Sequence, residues 1–175
     1  YADVLAATAT SANTNVSLLG ESFKYCAPIA GTLGASAEDL SIALGLMANS
    51  GIKGSQAGNS LKNALVNMSK PTDAQAAAME NLGLEITNAD GSYKSLQTIM
   101  DELRSTMGAV NVDLVDSEGN MRDYDAIMAD LSATTDGLTQ AEQLQNAATI
   151  FGKQNLAGML AIINATDEDY QNLTE

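Results

Sequence analysis

Apolar residues recur at three- and four-residue spacing along most of the chain, the period of a half-buried helix. From about Val16 to Leu33, one side carries Leu19, Phe23, Cys26, Ala27 and Ala30. Pro28 is expected to bend or break this helix, and Gly31 and Gly34 to end it. Ahead of it, the alanine- and threonine-rich stretch 2–12 is also predicted helical, and Asn13, Thr14 and Asn15 separate the two. Ser36 opens the next helix, with Asp39 as its reciprocal partner in a capping box. Its stripe is Leu40, Ala43, Leu44 and Met47. After the loop Gly51-Ile52-Lys53-Gly54, Ser55 is predicted to cap a helix carrying Ala57, Leu61, Ala64, Leu65 and Met68, which stops before Pro71. Thr72 then caps a short helix through Ala76, Met79 and Leu82 that ends at Gly83.

At residue 83 the pattern changes and then repeats after 28 residues. Residues 83–107 read GLEITNADGSYKSLQTIMDELRSTM, and residues 111–135 read NVDLVDSEGNMRDYDAIMADLSATT. Gly91 falls on Gly119, Lys94 on Arg122, Ile99 on Ile127, Met100 on Met128 and Leu103 on Leu131. Each copy opens with a short apolar–polar alternation and a glycine turn, which predicts small β-hairpins at 84–94 and 112–122. These either pair with each other or lie on the helices. Ser95 and Asp123 are placed to cap the helix that follows in each copy.

Beyond the repeat, Thr139 and Glu142 form another capping-box pattern, and the helix carries Ala141, Leu144, Ala148 and Phe151 up to Gly152. A last stripe of Leu156, Met159, Leu160 and Ile163 ends near Asn164, and Thr166 with Asp169 starts a further element. The expected fold is mainly α: a compact bundle of seven to nine helices with two short β-hairpins in a repeated hairpin-helix unit. The start at Tyr1 and the fresh helix start at Thr166 both read as cuts in a longer chain.

Charge divides the 175 residues into two parts. Residues 1–70 hold four acids and four bases and are neutral, rich in small residues suited to close helix contact. Residues 71–175 hold 18 acids and four bases and carry the whole net charge of −14. We expect one compact domain with these two parts. Such a charge repels a phosphate backbone, so sequence-specific nucleic-acid binding is not expected. No window of 18 apolar residues occurs, so no membrane span is expected.

Composition also limits the chemistry. There is no histidine and no tryptophan, and Cys26 is the single cysteine. A Ser-His-Asp triad, a Cys-His pair, a thiolate–imidazole zinc site and a disulfide framework are all excluded. The acidic turns at Gly91 and Gly119 do not fit an EF-hand, because Ile86 and Leu114 fall at the first ligand position and Gln97 and Asp125 at the last. Gly51, Gly54 and Gly58 do not form a phosphate loop, since neither GxxxxGK[ST] nor GxGxxG occurs. They read as an interhelical loop and a close backbone approach. The carboxylate pairs Asp101–Glu102 and Asp123–Asp125 lie in or near first helical turns, where acids are favoured anyway. No enzyme activity, cofactor or metal is expected.

Four segments carry a family likeness: TLGASAEDLSIALGLMANSGIKGSQAGNSLKNALVNMSKP up to Pro71, Met79–Leu103, Val112–Thr139, and AATIFGKQNLAGMLAIINA over Ala147–Ala165, with Ile150-Phe151-Gly152 as a signature. In this order they resemble the core region of the phage tail tape measure protein family, of the TP901-like type. The resemblance implies a structural tail protein that sets tail length during assembly and takes part in genome delivery. It implies contacts with other tape measure copies, tail tube and tail tip proteins and assembly chaperones. Its place would be the tail lumen of the virion, and the host cytoplasm during assembly. Gly51, Gly54, Gly58, Gly91, Gly119, Phe151 and Gly152 are the structural motif positions. A ruler needs an extended rod with sustained heptads, and none of three or more repeats occurs, so any measuring falls to sequence outside this segment. The alternative class is a non-enzymatic helical adaptor or binding module of a bacterial surface or secretion system.

Overall fold

A computed structural model describes residues 16–108, 110, 112–132, 137–165 and 167–174. Among these lie nine helices: α1 (Val16–Thr32), α2 (Ala37–Asn49), α3 (Gly54–Ser69), α4 (Asp73–Asn81), α5 (Leu96–Met107), α6 (Tyr124–Ser132), α7 (Gly137–Phe151), α8 (Leu156–Ile163) and α9 (Asp167–Thr174). The helix expected over 2–12 and the caps expected from the side chains of Thr139 and Thr166 lie outside the described residues.

The fold is all-α among the described residues, and the two predicted β-hairpins are not formed. Each shrinks to a single antiparallel bridge, Thr87–Tyr93 and Val115–Met121. The reason is length. Five residues, 88–92 and 116–120, make the turn. On one side Leu84 N–H is already bonded to the carbonyl of Met79 at the end of α4; on the other, Ser95 and Asp123 already cap the next helix. No residues remain for a second pair, and a lone short pair is marginal. We call these segments the first and second turn units.

Three other local expectations change. Helix α1 runs through Pro28 to Thr32; the proline forgoes its own N–H bond and crowds the carbonyl of Lys24 one turn back, and neither ends the helix there. Helix α3 starts at Gly54, with Lys53 at its N-cap and no side-chain cap, rather than at Ser55. Ser36 does accept from Asp39 N–H, at 3.0 Å. The Asp39 carboxylate, however, reaches the N-terminus of another helix and accepts from Leu96 N–H at 3.0 Å. Thr72 forms a complete capping box with Gln75.

Helix α8 is the centre. All eight of its residues are buried, and it touches α2, α3, α5, α6 and α7. A helix apolar all round has no solvent face and must be enclosed. Gly158 permits the enclosure, since a Cβ there would lie 2.8 Å from Met47 Cε and 3.0 Å from Ser60 Cβ. Buried residues from Leu19 to Leu173 join in one hydrophobic cluster that draws on both the neutral and the acidic parts of the chain.

Candidate functional site

The features the sequence motifs point to are the glycine-lined crossing of α1 and the start of α3 and the two turn units at the α2–α3 pair, with a groove beside the first unit.

At the start of α3, the backbone of α1 comes very near. A Cβ at Gly58 would fall 2.5 Å from the Ser22 carbonyl oxygen. The Ser22 hydroxyl donates to the Gly54 carbonyl at 2.7 Å, and the Cys26 thiol donates to the Ser22 carbonyl at 3.3 Å. This crossing makes α1 and α3 the most extensively paired helices. Burial pushes the Cys26 thiol up to about 12, so it stays protonated and inert. Ser22 escaped the sequence reading because a buried serine looks like any surface serine until its partner helix is known.

The turn units repeat each other in their backbone hydrogen bonds. Asn88 N–H donates to Ser92 O and Lys94 N–H to Ile86 O, both at 2.8 Å; Asp116 N–H to Asn120 O and Arg122 N–H to Leu114 O follow at 2.9 Å. Gly91 and Gly119 sit at φ 89° and 84°, with open space around each, a left-handed conformation that favours glycine. Lys94 pairs with Glu102 at 2.8 Å, and Arg122 with Asp130 at 2.6 Å. The Ser92 hydroxyl and N–H hold the Asp90 carboxyl below the usual range, and Arg122 does the same for Asp130. These carboxylates serve the turns themselves; among the described residues no group of three or more acids or thiols could hold a metal ion.

Each unit sits at one end of the α2–α3 pair. The second unit packs where α2 ends and α3 begins. Val115 Cγ2 lies 3.4 Å from where a Cβ of Gly51 (φ 91°) would stand. Gln56 Oε1 accepts from Met121 N–H at 3.2 Å, and Ser60 Oγ meets Met121 Sδ at 3.4 Å. The first unit packs where α2 begins and α3 ends, through the Asp39 cap on Leu96. A groove of about 450 Å³ remains here, lined by Ile42, Leu65, Met68, Tyr93 and Ile99, and a more open recess of about 600 Å³ lies beside the second unit, lined by Leu114, Val115 and Asp130. Tyr93 is 42% exposed, the most exposed large apolar side chain among the described residues. The groove was not legible in sequence, because it arises only from how three helices and a turn are placed.

Phe151 and Gly152 join α7 to α8. Phe151 is fully buried, and Gly152, at φ 94°, ends the helix. The buried Asn155 side chain donates to the Phe151 carbonyl at 2.8 Å. Farther on, Asn164 clamps Val110 through both its amide atoms, at 2.8 and 3.0 Å. Among the described residues no helix is long and apolar enough to cross a membrane.

Residues 1–112 match the family described as phage-related minor tail protein. A tape measure protein of Pneumococcus phage Dp-1 is 35% identical over 173 residues, covering 99% of this chain and 13% of that protein. A probable tape measure protein of Escherichia phage P2 is 26% identical over 104 residues, covering 59% of this chain and 13% of that protein. The chain thus spans about 13% of the length of these relatives. No solved structure matches.

Proposed function

This chain belongs to the phage-related minor tail protein family, and from that premise we propose that it is a compact domain of a tape measure protein. A structural, non-enzymatic part of a phage tail is what membership carries. The narrower reading places it in the core region of a TP901-like protein that sets tail length and takes part in genome delivery. One observation supports it above the others: identity with the Dp-1 tape measure protein runs along 99% of the chain. In this reading its contacts are other tape measure copies, the tail tube, the tail tip and assembly chaperones. It occupies the tail lumen after assembly in the host cytoplasm.

A bundle of short helices is no ruler. In this reading the domain is a fixed body carried by a longer rod, and its acidic residues 71–175 face solvent or a basic lining while repelling DNA. The test is an in-frame deletion in the parent gene outside this segment, with tails measured by electron microscopy. Tails should shorten by roughly 1.5 Å per deleted residue where the lost stretch is an extended helix. Unchanged length in assembled particles would end the ruler reading.

A further inference from the structure

The two turns differ at the residue before the glycine. Asp90 precedes Gly91 in the first unit, and Glu118 precedes Gly119 in the second. An aspartate followed by glycine can modify itself. The glycine nitrogen attacks the side-chain carboxyl carbon and a five-membered succinimide closes; the amide hydrogen and the carboxyl hydroxyl leave together as water. Water then reopens the ring at either carbonyl. One product is the original aspartate; the other is isoaspartate, with an extra methylene in the main chain. Glutamate would have to close a six-membered ring, which forms far less readily. Glycine favours the attack because it has no Cβ to stand in the way. At Gly91 the surrounding space is open, and Asp90 is exposed. The first turn therefore carries a reactive step that the second lacks.

The hydrogen bonds of the first turn oppose that step. The Ser92 hydroxyl donates to Asp90 Oδ1 at 2.6 Å, and the Ser92 N–H donates to the same oxygen at 3.0 Å. Asn88 Nδ2 donates to Ser92 Oγ at 3.0 Å, which leaves the hydroxyl hydrogen free to point at the carboxylate. Two donors on one oxygen favour the carboxylate over the acid, and only the acid has a hydroxyl to lose. The attacking nitrogen is engaged too, since Gly91 N–H donates to Asn88 O at 3.0 Å. In the second turn Asn120 stands where Ser92 does, and its N–H bonds the Asp116 carboxylate instead. The donors converge on the neighbouring carboxylate in the turn whose ring can close. We propose that Asp90-Gly91 is a latent succinimide site and that Ser92 holds it shut. Isoaspartate there would lengthen the main chain between Asn88 N–H and Ser92 O, the 2.8 Å bond beside the Thr87–Tyr93 bridge, and would open the turn. The inference is independent of the tail reading.

The experiment holds the 175-residue chain at neutral pH in water enriched in heavy oxygen, then digests it in ordinary water. Each closure and reopening exchanges one oxygen of residue 90 for a solvent oxygen, so the label counts closures whichever product forms. Mass spectrometry of the peptides separates this step from the other Asp-Gly, at 136–137. The folded chain should take up label at residue 90 at least about tenfold more slowly than the chain unfolded in urea. Ser92→Ala should raise the folded rate about tenfold, the worth of one hydrogen bond to a charged group. Ser92 is exposed, so the variant keeps the fold. Ser92→Thr, which keeps the hydroxyl, should stay near the original rate. Thr87→Gly, which loosens the bridge and leaves both donors on Asp90, should change the rate less than Ser92→Ala does. The inference is overturned if folded and unfolded chains exchange at the same rate, if Ser92→Ala matches the parent, or if Thr87→Gly accelerates exchange as much as Ser92→Ala.

Discussion

Residues 86–107 and 114–132 begin with the same five-residue turn, the same glycine, the same i to i+8 ion pair and the same side-chain cap on the following helix. Their helices reach the same core, through Ile99 in one and Ile127 in the other. What differs is the outer face: half-buried Val115 and Met121 against exposed Thr87 and Tyr93. Local geometry is thus set by residues within each unit, while burial is set by which end of the α2–α3 pair the unit meets. Repetition in sequence carries the first and not the second.

The largest effect should be shared by both units. Ile99→Ala and Ile127→Ala each remove a core side chain, at 5% and 0% exposure, and each should cost about 2–5 kcal/mol in urea unfolding. A cost below about 1 kcal/mol at one of them would show that its helix is not anchored as described. The outer faces should then part company. Met121→Ala should cost about 1–2 kcal/mol, less than a full core deletion because the residue is half-buried, while Tyr93→Ala should stay within about 0.5. Equal costs would erase the distinction between a half-buried and an exposed outer face.

Turn chemistry should again be equal. Gly91→Ala and Gly119→Ala have room for a methyl group but the wrong φ, so each should lose about 1–2 kcal/mol. The smallest effect is a titration. The Arg122 guanidinium lowers the carboxyl of Asp130. A depressed native value gives stability that is present above the unfolded value and lost as pH falls through the native one. The side chain is exposed, so the stability change should be slight, and a carboxyl NMR titration is the better readout. Asp130 should titrate below the ordinary aspartate range, and Arg122→Gln should return it there.

Helix stripes were readable because each needs only its own spacing. The caps at Ser36, Thr72, Ser95 and Asp123 were readable for the same reason: donor and acceptor lie within three residues. The hairpins failed because alternation reports a local preference, whereas a ladder needs length on both sides of the turn. Asp39 failed because its true partner is 57 residues away. Gly51 and Gly58 stood out as glycines, yet what each makes room for, Val115 and the Ser22 backbone, depends on tertiary placement. So does the groove, whose wall and floor come from segments that no pattern along the chain connects.

The enclosed position of α8 has a bearing on the order in which this molecule can be made. A ribosome delivers α2, α3, α5 and α6 before residues 156–163 emerge, yet these helices meet their common partner only then. Contacts across such separations close late, because the loop entropy comes first and the burial afterwards. A chain halted at residue 155 should therefore bind a hydrophobic dye that the 175-residue chain excludes. Synthesis of this segment passes through an interval in which its apolar faces are open to whatever else is in the cell, and residues 156–163 close it.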